Sequence, residues 1–374
     1  MSHAANIYRL GVKELWSLAR DPIMLVLIAY SFTVSIYVAA TAIPETLHKA
    51  PIAIVDEDGS PLSNRVASTF YPPHFKLPAM ISLGGVDVGM DRGDFTFVLD
   101  IPPNFQQDVL SGVSPAIQLN VDATRMSQAF TGSSYIQQMV MGEVSEFVQR
   151  FRGSPAPPVD LLIRARFNPN LEQSWFGGLM EIINNITMLS IILTGAALIR
   201  EREHCTIEHL LVMPVTPFEI MMAKVWSMGL VVLLAAAAAL VLVVKAVLRV
   251  PIEGSVALFL TGAVLHLFAA SSLGIFMATI ARSMPQFGML VVLVLLPLQL
   301  LSGNSTPRES MPMFVQTLML AAPTTHFVAV GQAILFRGAG LTVVWPEFLV
   351  LAAIGAALFA ISLNRFRKTI SQMT

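Results

Sequence analysis

Six runs of apolar residues, most of them about twenty long and free of charge, constrain what this chain can fold into more than any other feature. They lie at 23–43, 176–199, 225–244, 256–280, 287–301 and 343–363. A helix of about 20 residues spans the roughly 30 Å hydrocarbon core of a bilayer, and a helix satisfies its own backbone there. Of the 374 residues, 55 % are hydrophobic and only 13 % charged, whereas soluble domains carry about 25 % charged residues. The chain therefore reads as a polytopic α-helical membrane protein. Its net charge of −1, with no long basic tract, argues against a nucleic-acid partner. Its single cysteine, Cys205, cannot close a disulfide within the chain.

Residues 1–21 precede the first run. On a helical wheel Ile7, Tyr8, Val12, Leu15, Trp16, Leu18 and Ala19 share one half, and Arg9, Lys13, Ser17 and Arg20 share the other. That division predicts an amphipathic helix lying in the membrane interface. Ala40-Thr41-Ala42 has the form of a signal cleavage site, but the run before it is longer than a signal core and follows a segment that already reads as helix. Residues 22–43 are therefore expected to stay as a first transmembrane helix.

Residues 44–175 are polar and long enough for one soluble domain. Strands are expected at 51–55, 95–101, 116–121 and 161–167, and helices at 62–70, 104–110 and 127–151, which predicts a mixed α/β insertion. Between 44 and 174 there are 14 acidic and 9 basic residues, a net charge of −5. Asp56-Glu57-Asp58 lacks the alternating ligand spacing of a calcium loop and reads as a solvated turn.

Six crossings, within 22–43 and 176–363, put both termini on one side. Arg9, Lys13, Arg20, Arg200, Arg202, Lys224, Arg282, Arg365, Arg367 and Lys368 fall on that side, against Lys245, Arg249, Arg308 and Arg337 in the short loops opposite. The bias predicts cytoplasmic termini, a cytoplasmic tail at 364–374, and an external inserted domain. The stretch 302–342 is broken by Pro307, Pro312 and Pro323, too often to span, and reads as a re-entrant external segment.

The loop 200–224, REREHCTIEHLLVMPVTPFEIMMAK, holds a dense set of charges, prolines and caps. Arg200, Glu201, Arg202 and Glu203 stand where a helix would leave the bilayer, where ion pairs are cheaper than inside it. Pro214 ends the helical stretch before it. Thr216, Pro217 and Glu219 then form a cap, a first-turn proline and a capping box that start the next helix.

The string Arg-Glu-x-x-Thr-x-Glu-x-Leu-Leu-x-x-Pro from Arg202 to Pro214, followed by Glu219 and Lys224, resembles the cytosolic coupling segment of ABC-2 type permeases. Cys205 stands where that family usually has glycine. The inserted domain resembles the external domain that some of these permeases carry, and 302–342 resembles their external re-entrant helices.

The resemblance implies the membrane subunit of an ABC exporter in a bacterial inner membrane. A cytosolic ATPase, in two copies, would grip the elbow through Glu201, Glu203, Thr206, Glu208, Leu211, Pro214 and Glu219. A second permease copy or a sister permease would complete the pump, and a periplasmic adaptor is a further partner. The cargo would be amphiphilic or drug-like. No G-x-x-x-x-G-K-[ST] stretch occurs, so ATP and its magnesium are expected on the partner subunit, with no cofactor on this chain.

Glu181, Asn184 and Asn185, at i, i+3 and i+4, face one direction at a depth where an acid must be paired or wet. They are candidates to line a transport path, joined by His266 and Gln299, while a hydrogen-bonded contact between helices is the plainer reading. His204, Cys205 and His209 lack a fourth ligand, so no metal is expected. No G-x-S-G, H-E-x-x-H or paired intramembrane aspartates occur, which argues against an intramembrane protease. The rival outside transport is a membrane receptor or scaffold that binds a partner through its external domain, and such a protein has no use for a capped, proline-broken elbow.

Overall fold

A computed structural model of the chain describes residues 3–41, 49–122, 126–152, 173–203, 215–304 and 308–371. It divides into one unit made of Met1–Ala42 with Ser174–Thr374 and a second made of Ile43–Gln173.

The first unit opens with α1 (His3–Ala19), whose buried residues are Gly11, Glu14 and Leu18. Asp21 caps the next helix, α2 (Pro22–Thr41), by accepting from the Met24 N–H at 3.2 Å, and Pro22 occupies the first turn, where no donor is needed. Between Ser31 and Ser35 this helix widens into a π turn.

The second unit contains a four-stranded sheet in the order β2-β1-β3-β4. Its elements are β1 (Ile52–Asp56), α3 (Pro61–Ser68), β2 (Ala79–Met80), α4 (Val86–Asp91), β3 (Phe97–Ile101), α5 (Phe105–Ser111), β4 (Gln118–Val121) and α6 (Met126–Arg152). β1 runs parallel to both β2 and β3, and β4 is antiparallel to β3. The continuous apolar runs of β1 and β3 suit a sheet covered on both faces. Ile52, Ile54, Phe97 and Leu99 pack on α3, α5 and α6, while Ala53, Val55 and Val98 pack on Val86. Arg65 ties α3 to Glu143 of α6 at 2.8 Å. Leu99, Phe105, Val109, Ile136 and Val140 help line a mostly apolar cleft of about 680 Å³.

The acidic turn is spoken for by its own backbone. Asp56 accepts from the N–H groups of Asp58 and Gly59 at 3.1 and 2.9 Å, Gly59 has a positive φ of 60°, and Asp58 accepts from the Gln106 N–H. The sequence reading omitted β2 and α4, which are two and six residues long and too short to show a period. The strand expected at 161–167 lies outside the described residues.

The first unit resumes with α7 (Gln173–Glu203), α8 (Pro217–Ala239, continued by a π turn at Leu240–Val247), α9 (Val256–Ile280) and α10 (Met284–Leu301). Then come α11 (Met313–Met319), α12 (Pro323–Gly331, continued by a π turn at Gln332–Phe336) and α13 (Leu341–Ser371). Six of the described helices are long and apolar enough to cross a membrane: α2, α7, α8, α9, α10 and α13. The helices α11 and α12 meet at a 90° bend, the geometry of a broken or re-entrant element.

The bundle is built around α7. Its apolar window is 83 % buried, against 50 % for α9 and 17–28 % for the other four. Gly274 lets α9 approach it, since a Cβ there would lie 2.5 Å from the Ile191 carbonyl oxygen and 2.6 Å from Thr194 Oγ1. Close backbone contact of this kind is how helices associate where lipid is as apolar as leucine.

Candidate functional site

Successive residues on a helix point about 100° apart, so four in a row address nearly the whole circumference. At the end of α7 each of four consecutive charges reaches a different neighbour. Arg200 pairs with Asp21, the cap of α2, at 3.0 Å. Glu201 lies 2.6 Å from Lys13 of α1 and 2.8 Å from Lys224 of α8. The Arg202 guanidinium donates to the carbonyls of Ala278 and Ala281 at the end of α9, where a cation suits the carbonyl-rich terminus. Glu203 accepts from the Met284 N–H at 2.8 Å, at the start of α10.

The centre of this arrangement is a balanced set of two cations and two anions. Lys224 is 1 % exposed, Glu14 6 % and Glu201 8 %. The Lys224 ammonium bridges Glu14 at 3.0 Å and Glu201, while Lys13 covers the same two carboxylates from the half-exposed side. Burial pulls Lys13 down, and the attraction of Glu201 and then Glu14 outweighs it, so its pKa ends above the ordinary lysine value.

A second set of contacts fixes α1 along the start of α8. The capping box forms as expected, with the Glu219 N–H donating to Thr216 Oγ1 and the Thr216 N–H donating to the Glu219 carboxylate at 2.6 Å. The same carboxylate takes His3 and Asn6 of α1, each at 3.0 Å. About two turns further along α8, the Trp226 indole donates to the Ile7 carbonyl at 3.2 Å and stacks on Tyr8 with the rings 4° from parallel. Gly11 lies beneath that indole, where a Cβ would overlap the ring. Thus Glu201 and Glu219 both bind α1 of their own chain, and Glu203 binds α10. Thr206, Glu208, Leu211 and Pro214 lie outside the described residues.

Glu181 and Asn185 converge on the π turn of α2. Asn185 donates to the Ser31 carbonyl at 2.7 Å, and Glu181 accepts from the Ser35 hydroxyl at 2.6 Å and, more weakly, from Asn184 at 3.5 Å. A π turn shifts carbonyls off the regular ladder, and Asn185 satisfies one of them. Replacing Asn185 with leucine should therefore destabilise the unit by about 1–3 kcal/mol, read as a lower denaturation midpoint in detergent; no change would reject the pairing. His266 is wholly buried, 2.8 Å from Thr187 and stacked on Phe327 with ring centroids 4.3 Å apart. Gln299, on α10, joins neither group; its carbonyl accepts from Ser302.

The sequence profile of the "ABC-2 family transporter protein" group matches residues 22–364. The chain belongs to the ABC-2 transporter family. It is 64 % identical over 373 residues to the "Inner membrane transport permease YhhJ" of Escherichia coli K12, covering all of both chains. It is 28 % identical over 365 residues, 95 % of this chain and 97 % of the relative, to the "Probable multidrug ABC transporter permease YbhR" of the same organism. Membership in this permease family makes the chain a non-catalytic membrane subunit.

In this ABC-2 permease the anchors Glu14, Asp21, Lys224 and Trp226 escaped the sequence reading as partners. The signal available was Glu14, the one acid within His3–Ala19. An acid that a packed amphipathic helix buries needs a cation, and Lys224 at the edge of an apolar run is such a cation.

Proposed function

We propose that this permease exports a substrate, amphiphilic or drug-like in class, across a bacterial inner membrane, driven by a separate ATPase docked on the elbow 200–224. The observation that carries the proposal is the charge cluster. It ties α1, the end of α7 and the start of α8 to one another, so a force on the elbow acts on three helices together. Buried ion pairs with good geometry resist separation because each charge left alone is poorly solvated.

Two ATPase copies would hold ATP and magnesium, and a second permease copy or a sister permease would complete the pathway. The bias of lysine and arginine toward the elbow side supports cytoplasmic termini and an external inserted domain, on which a periplasmic adaptor would dock. The name of the YbhR relative, "Probable multidrug ABC transporter permease", supports the cargo class. Glu181 and Asn184, half-buried beside the α2 π turn, are the pathway residues this reading favours, since π turns recur at functional sites.

The test is reconstitution of the chain with its ATPase in lipid vesicles. Compounds that are exported should stimulate hydrolysis, and Glu208→Lys should abolish both stimulation and export. Unchanged export by that variant would overturn the elbow as the docking site. Labelling of the elbow from outside intact cells would overturn the orientation.

A further inference from the structure

We propose that this permease holds the anionic headgroup of an amphiphile, a phosphate or carboxylate, in a cavity between the start of α7, the turn that follows α10 and the helix α12. Phe176, which lines it, and Glu201, which belongs to the elbow, stand near opposite ends of α7, roughly 37 Å apart along the axis at about 1.5 Å per residue. The cavity encloses about 420 Å³, within the range of roughly 300–1,000 Å³ usual for ligand sites.

Arg308, Arg337, Thr325, Asn304 and Gln332 line it, with no carboxylate among the described lining residues. Arg308 Nε is buried without a hydrogen-bond partner among the described residues, and so is the hydroxyl of Thr325, itself 1 % exposed. Neither guanidinium has a carboxylate within ion-pair distance among the described residues. Two cations and an unused hydroxyl donor in one concavity, with no balancing acid among the described residues, select an anion, and guanidinium suits the oxygens of phosphate or carboxylate.

The cavity is held in shape from within. Gln332, in the π turn, donates to the Gly303 carbonyl at 3.3 Å, and the Arg308 stem passes over Gly303, where a Cβ would lie 3.2 Å from its Cγ. Gly303 has a φ of 94°, open to glycine and strained for other residues. Phe176 and Val328 add apolar wall, which favours an anion attached to a hydrocarbon tail over a bare ion.

The proposal concerns binding and stands without the transport reading, so its test uses the full chain in neutral detergent with no ATPase. Native mass spectrometry would compare phosphatidylglycerol with phosphatidylcholine of the same acyl chains, and calorimetry would titrate inorganic phosphate. Phosphatidylglycerol should be retained about tenfold more tightly than phosphatidylcholine, and Arg308→Gln with Arg337→Gln should bring the two to parity. Lipid parity in the wild type, with phosphate binding that the double variant loses, would support a free anion as the source. Should the double variant aggregate, Arg337→Gln, at an exposed position, should lower the preference about threefold. A wild type that prefers neither lipid and binds no phosphate would overturn the proposal, as would a preference that the arginine variants leave intact.

Discussion

Replacing Lys224 with methionine should destabilise the membrane unit by about 3–5 kcal/mol. The lysine is almost wholly buried and bridges Glu14 and Glu201 at 3.0 and 2.8 Å. Without it two buried carboxylates share only Lys13, which is half exposed and reaches Glu14 at 3.4 Å. The large term is the carboxylate left without a cation, not the lost attraction itself. Converting Glu14 to glutamine in the same chain should therefore restore most of the stability, because the Lys13–Glu201 pair at 2.6 Å remains balanced. Denaturation of the purified protein in mixed micelles, followed by tryptophan fluorescence, reads both variants. A single variant within about 1 kcal/mol of wild type, the ordinary size of a point-mutation effect, would mean that the cluster does not hold α1 to the bundle. So would a double variant no better than the single one.

Under the export function proposed above, replacing Gly11 with leucine should lower ATP-driven export about tenfold while the partner ATPase still hydrolyses. A side chain at position 11 overlaps the Trp226 indole, so α1 must lift away from α8 and lose the Tyr8 stack and the Ile7 carbonyl bond. The crossing helices keep their own packing, and what is lost is the brace between the elbow and α1. Trp226→Ala in the same chain makes room and should recover much of the export. Export by Gly11→Leu equal to wild type, measured in vesicles containing the ATPase, would show that α1 takes no part in coupling.

These two variants also mark the boundary between what the residues say in order and what they say once packed. The membrane helices were legible because a long uncharged run has few other fates in a cell membrane. The start of α8 was legible because a capping box is local, set by Thr216 and Glu219 three positions apart. In the inserted unit β1 and β3 were legible from short apolar runs, whereas β2 is two residues long and is held only by its neighbour β1. Glu181 and Asn185 could be placed on one face of a helix, but their common target, the π turn of α2, is 146 and 154 residues away in the chain.

By itself, then, the sequence determined the membrane class, the spans, the mixed inserted unit and the elbow's caps, all of which follow from hydrophobicity and contacts within a few residues. Only the tertiary structure decided which charge answers which. Arg200, Glu201, Arg202 and Glu203 are neighbours in sequence and yet serve different helices, and Lys224 meets Glu14 across 210 positions. The physical reason is that a charge at the edge of a bilayer must find a partner, while its chemistry does not say which of several suitable partners the fold will bring within 3 Å.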